Sequence, residues 1–165
     1  MTPITLQAAQ KVAALFTNNS AIESEVNSIA TGSSYTVPVI PASQVYLTST
    51  PINMADGQQQ LAYPRISVFC SRLVNQHREK FRSLSGTLGI TVEVAATADL
   101  IDLVEYWMHY YVEAVSNILR RGAGDMGDGM FFPGTYQVDV QLAQIGGSGF
   151  LQLAQVTCEL SVSRN

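Results

Sequence analysis

Between Asp99 and Arg121 the chain reads DLIDLVEYWMHYYVEAVSNILRR, and no other stretch limits its fold as strongly. Leu100, Val104, Trp107, Tyr111, Val115 and Ile118 recur at steps of three and four, the period of one helical face. Ile101, Met108, Val112 and Leu119 widen that face, while Asp102, Glu105, His109, Glu113, Ser116 and Arg120 occupy the opposite side. The pattern predicts a helix over 99–121. Asp99 is placed to accept from its first free amides, Arg120 and Arg121 meet the negative end of its dipole, and Gly122 ends it. So broad and aromatic a stripe requires a sheet or several helices against it.

The flanking sequence offers both. Leu6, Ala9, Val12, Ala13 and Phe16 predict a helix over 5–16 capped by Thr5, and Ile22, Val26 and Ile29 predict a second over 21–30, so 1–34 reads as a helical segment. Pro38, Pro41, Pro51 and Pro64 deny regular central strands to 35–64, which reads as an irregular arm or loop. Within it Val45–Leu47 suits a short extended piece, and Asn53–Gln60 reads as a polar excursion. From Arg65 the alternation turns to strand, with Ile66, Val68 and Cys70 on one side and Arg65, Ser67 and Phe69 on the other. A polar excursion, Ser71–Ser85, leads to GTLGITVEVAA, where Leu88, Ile90, Val92 and Val94 share a face. After the helix, Gly122–Gly134 reads as a flexible loop. Tyr136, Val138, Val140 and Leu142 then share one strand face, and Ala154, Val156, Cys158, Leu160 and Val162 share another beyond the reversal at Gly146–Gly149. Leu151 and Leu153 have the opposite parity, which implies either a bulge or a second hydrophobic surface. The expected fold is one α+β domain over 1–165: a mainly antiparallel sheet of about four strands, packed by one long central helix, with additional N-terminal helices. Trp107, Tyr111, Val115, Ile90, Val92, Val138 and Val156 form the expected core.

Composition bears on function. The chain's 165 residues suit one domain; 47% are apolar and only 13% charged, so Gln, Ser, Thr, Asn and Gly must form much of the surface. A neighbouring subunit can cover such a surface without stripping water from many charges; a small neutral domain is the other reading. A net charge of −4, with 9 Lys and Arg in all, argues against nucleic-acid backbone binding. Arg72, His77, Arg78, Lys80 and Arg82 form the one basic concentration. Cys70 and Cys158 lie in apolar strand patterns without a Cys-x-x-Cys partner, so buried thiols are expected. No apolar run reaches membrane-spanning length, and the N-terminus carries no secretion-signal pattern.

The supply of catalytic groups is thin. His109, between Glu105 and Glu113 at steps of four, suits a metal only with a third ligand from elsewhere, and a solvated helix face is the commoner meaning of that pattern. HExxH, GxSxG and GxxxxGK[ST] are missing, and Asp125 and Asp128 do not complete an EF-hand. No catalytic residue, cofactor or metal is therefore expected.

The order of parts, with YPRISVF, GTLGITVEV, a long helix ending in ILRRG and a C-terminal hairpin over 63–162, resembles the tail-terminator and neck proteins of tailed bacteriophages. The resemblance implies a structural virion protein, made in the host cytoplasm. It would form a ring, probably a hexamer, at the head-proximal end of the tail, terminating the tube and joining it to the neck. Implied partners are the tail tube protein, neck or connector proteins and possibly sheath, with packaged DNA passing through the lumen and no membrane. Another head-to-tail connector, neck or tail-completion protein is the alternative, and a small metal-dependent hydrolase centred on His109 is a more distant one. Under the ring reading Arg72, Arg78, Lys80, Arg82, Asp125, Asp128, Asp139, Leu151 and Leu153 are the candidate interface or lumen residues.

Overall fold

A computed structural model describes residues 2–49, 62–77, 79–146 and 149–165. Its sheet has eight strands, which overturns the expected four-stranded sheet around a central helix. The strands are β1 (Val45–Tyr46), β2 (Arg65–Asn75), β3 (Leu84–Ala98), β4 (Gly124–Gly127), β5 (Met130–Phe132), β6 (Tyr136–Val140), β7 (Gln144–Gly146) and β8 (Gly149–Arg164). The helices are α1 (Ile4–Thr17), α2 (Ala21–Ile29) and α3 (Ile101–Arg121).

The organising element is β8. Its 16 residues pair antiparallel with β3 along one side, from Ala98–Phe150 to Leu84–Arg164. On its other side β7, β6 and β5 follow one another, and β4 closes on β5. β1, β4, β5 and β7 are too short for an alternation to be read; they are strands because β8 and its neighbours supply a ladder for their backbone groups. β1 joins β2 in parallel, and β2 pairs antiparallel with β3. The excursion expected over Ser71–Ser85 is strand at both ends, since β2 runs on past a bulge between Cys70 and Arg72 to Asn75 and β3 begins at Leu84. The loop expected over Gly122–Gly134 contains the β4–β5 hairpin, turned at Gly127, Asp128 and Gly129 with φ of 77°, 56° and 75°. There a Cβ on Gly129 would stand 2.0 Å from the Ser163 carbonyl oxygen.

One sheet face is covered by α1 and α3 and forms the core. Val68, Val92, Val156 and Val138 make a continuous rung across β2, β3, β8 and β6. The next rung is Cys70, Ile90, Cys158 and Tyr136. The two cysteines thus flank Ile90 at about 10 Å, two strand spacings, too far for a disulfide. Burial pushes the Cys158 thiol up to about 12. Ala8, Val12 and Phe16 of α1 and Val104, Met108, Tyr111, Val115 and Leu119 of α3 close over these rungs.

Helix α3 begins at Ile101, with Leu100 at its cap position and no capping bond from Asp99. Leu100 and Ile101 are exposed, so the buried stripe starts at Val104. Its end is as expected, with the Gly122 amide donating to the carbonyls of Ile118 and Leu119 at 2.9 and 3.0 Å. Trp107 is only half-buried, donating through Nε1 to the Thr36 carbonyl at 3.0 Å, and Val138 is also partly buried. The described part of the 35–64 segment folds back on its own domain. Ser34 N donates to the Tyr106 hydroxyl at 3.1 Å, the Tyr111 hydroxyl to the Pro38 carbonyl at 2.7 Å, and Ile40 is fully buried. The Asn53–Gln60 excursion lies outside the described residues.

Helix α2 is tied to the end of α3 by Glu25, whose carboxylate accepts from Asn117 and Arg121. Burial alone would raise this carboxyl, but the Arg121 and Asn117 hydrogen bonds and the Arg121 charge outweigh it, leaving the group below its ordinary 4.5. A folded pKa below the unfolded one gives stability that is complete above the unfolded value and lost as pH falls through the folded value. Glu25→Gln should therefore cost about 1 kcal/mol at neutral pH, discounted for the exposure of Arg121, and flatten the decline in stability on acidification. Urea melts at neutral pH and near pH 3 read this directly, and an unchanged acid slope would remove Glu25 from the account.

Candidate functional site

The described candidate residues occupy five separate places. Arg72, in the outer half of β2, reaches across Gly89 to pair with Glu159 of β8. Gly89 permits this because it has no side chain in between; a Cβ there would stand 3.3 Å from that of Arg72. Arg78 lies outside the described residues. Lys80 and Arg82 sit at the tip of the β2–β3 hairpin on either side of Phe81, which is 95% exposed. Arg82 Nε lies 3.2 Å from Glu79, whose carboxylate also accepts from Ser163. The basic run is therefore divided into a neutralised arginine on the sheet and a cationic tip.

The acidic candidates are not one cluster either. Asp128 in the β4–β5 turn is clamped to α1, its carboxylate accepting from Gln7 at 2.7 Å and lying 2.9 Å from Lys11 Nζ. The Lys11 hydrogen bond and charge hold its carboxyl below the ordinary range. Asp125 accepts from the Gly127 amide at 2.8 Å within the same turn. Asp139 is exposed on β6 and accepts from Gln137. Because Asp139 pairs with Gln155 and Met130 with Val162, Asp139 is separated from that turn by about 23 Å of β8.

Leu151 and Leu153 belong to an unbroken register with β3, so no bulge explains their parity. They lie on the second face of the sheet, where Leu153 is buried opposite Ala95. The alternation at Arg65 and Ser67 suits a half-buried strand, yet both of these residues are buried. Arg65 Nη1 donates to Ser67 Oγ at 3.0 Å, and its guanidinium lies 5.3 Å from the centroid of the Tyr63 ring. Beside them Glu93 accepts from Gln155 at 3.2 Å.

A concavity between helix and sheet lies elsewhere. A groove of 520 Å³ runs between α3 and the end of β6, lined by Glu105, Met108, His109, Val112, Glu113, Val140 and Gln152. Met108, Val112 and Val140 make it apolar, while Glu105, His109 and Glu113 come from the polar side of the helix. Gln152 is 5% exposed; its Nε2 donates to the Gln141 carbonyl at 3.0 Å, and its Oε1 has no hydrogen-bond partner among the described residues. Among the described residues no three His, Cys, Asp or Glu side chains converge as a metal ion requires, so Glu105, His109 and Glu113 share a rim without forming a ligand set.

Beside the groove, the rim of the sheet is apolar and open. β6 pairs only with β8, leaving its outer edge unpaired among the described residues. Val140, Leu142 and Ile145 at this rim are 53%, 85% and 85% exposed. Sequence reasoning missed Phe81, Gln152 and this rim. Phe81 did carry a signal, as a lone aromatic between Lys80 and Arg82 in an otherwise polar run. Gln152 carried none, because its isolation depends on the neighbours that α3 and β6 bring. No described helix is long and apolar enough to cross a membrane. No protein-family model matches the chain, and neither does any curated protein sequence.

Proposed function

We propose that the protein is a ring-forming structural component of a tailed-phage virion, the terminator that caps the tail tube and offers the neck its docking surface. The observation that supports this reading best is the placement of its exposed apolar groups. Val140, Leu142 and Ile145 line an open sheet rim near the Ala98–Phe150 end of the β3–β8 pair, and Phe81 projects beyond the Leu84–Arg164 end. A chain that presents different adhesive surfaces at its two ends makes heterologous contacts, and these close into rings when the rotation between neighbours permits. The sparse charge of the chain fits surfaces covered by like subunits. Packaged DNA would pass through the lumen, and tube and neck proteins would bind the two ring faces.

Negative-stain electron microscopy of the purified protein, alone and mixed with tail tubes and empty head-connector particles, tests this. Closed rings, or density seated on the upper end of a tube, are expected. Density at the connector alone would move the protein to another head-to-tail junction, and monomers that ignore both partners would refute the assembly role.

A further inference from the structure

The hairpin tip and the groove beside α3 are chemically complementary. The groove offers apolar contact through Val112 and Val140 and two carboxylates in Glu105 and Glu113. The tip presents an exposed aromatic ring between two cations. Lys80 has no ion pair among the described residues, and the Arg82–Glu79 pair is solvent-exposed and weakly held. Aromatic residues and arginine are enriched at protein interfaces, where side chains seated in well-packed pockets carry most of the binding energy.

The tip cannot fill its own groove. Gln152 pairs with Ala96 and Val140 shares a rung with Ala154 and Val94, whereas the tip lies beyond Leu84. From Ala96 to Leu84 the strand pair extends for about 40 Å. We infer that Lys80-Phe81-Arg82 of one copy docks in the α3–β6 groove of a second copy of this chain. Phe81 packs on Val112 and Val140, and the two cations face Glu105 and Glu113. The contact uses a different surface on each copy and leaves the tip of the second copy free for a third, a heterologous geometry that closes into a ring when the rotation between copies permits. This inference rests on the reading of the chain as a self-assembling component and names the contact that assembles it.

Charge reversal in two chains provides the test. All four charged positions are on the surface, so a Lys80→Glu/Arg82→Glu chain and a Glu105→Lys/Glu113→Lys chain should melt like the wild type. Each alone should self-associate roughly thirtyfold or more weakly in sedimentation velocity. Mixed in equal amounts they should recover wild-type association, because every reversed tip then has a reversed groove and every native tip a native groove. Phe81→Asp should weaken association; the Lys80→Glu/Arg82→Glu chain should not rescue it, and the Glu105→Lys/Glu113→Lys chain, whose native tip fits its native groove, should restore pairs but no larger assembly. The same samples are imaged with and without tail tubes. Rings that persist in Phe81→Asp, or reversed chains that fail to complement, overturn the tip-in-groove contact and leave the assembly reading standing. A wild-type chain that stays monomeric both in solution and on tubes overturns both.

Discussion

Val156→Asp is expected to yield no recoverable folded protein, whereas Val156→Ala should fold with a loss of about 2 kcal/mol. Val156 is fully buried at the middle of β8, with Val92 opposite on β3 and Val138 opposite on β6. Every side chain on that rung is a valine, so an aspartate there has no donor and must either stay charged without water or take up a proton. Either course costs several kcal/mol. Set against a total stability of about 5–15 kcal/mol for an ordinary domain, that loss alone takes most of the margin. The damage also spreads, because β8 holds β3 on one side and β5, β6 and β7 on the other. Soluble yield and cooperative melting read the outcome. A Val156→Asp protein that melted within a few degrees of wild type would show that β8 is not the strand on which the fold depends.

Tyr111→Ala should cost about 3–5 kcal/mol, with Tyr111→Phe costing about 1–2 kcal/mol. Tyr111 is one of the largest fully buried side chains, wedged between the sheet and the returning 33–40 segment. Alanine empties that space, and the surrounding strands are too well paired to collapse into it. Phenylalanine fills the space but leaves the Pro38 carbonyl without the hydroxyl that donates to it at 2.7 Å. Burial also pushes the Tyr111 phenol well above its ordinary range, so the hydroxyl remains a donor across the working pH range. Trp107→Ala should cost less than Tyr111→Ala, because that indole is half exposed and already touches water on one side. Urea denaturation of the three variants ranks them. A loss for Trp107→Ala equal to that for Tyr111→Ala would place the weight of the helix on its outer aromatic edge.

The long helix was legible because burial of one stripe writes a 3.6-residue period directly into Val104, Met108, Tyr111, Val115 and Leu119. The alternation of β3 and β8 was legible for the same reason, since the core face of each strand takes every second residue. The short strands were not. β4 is Gly-Asp-Met-Gly and β7 Gln-Ile-Gly, sequences too short and too rich in glycine to show a strand preference, paired because β5 and β8 present unpaired backbone beside them. Arg65 and Ser67 were misplaced for a related reason. Alternation shows that they face away from Ile66 and Val68, but it cannot show that the opposite face is also covered. Similarly, Asp125, Asp128 and Asp139 share a charge and lie within fifteen residues, yet one is bound to Lys11, one to its own turn and one to Gln137 on β6.

By itself the sequence determined the periodic elements: the helices α1, α2 and α3, the strands β2, β3, β6 and β8, and the faces they turn to the core. Periodicity and turn chemistry are local, so neighbouring residues carry them in full. Only the tertiary structure decided that β8 is the hub of eight strands, that the 33–40 segment is pinned by the tyrosines of its own α3, and that Gln152 lies with an unanswered oxygen in a groove about 40 Å of strand away from the exposed Phe81. Each of these depends on which distant residues meet, and that is settled by the pairing of long strands and the burial it enforces.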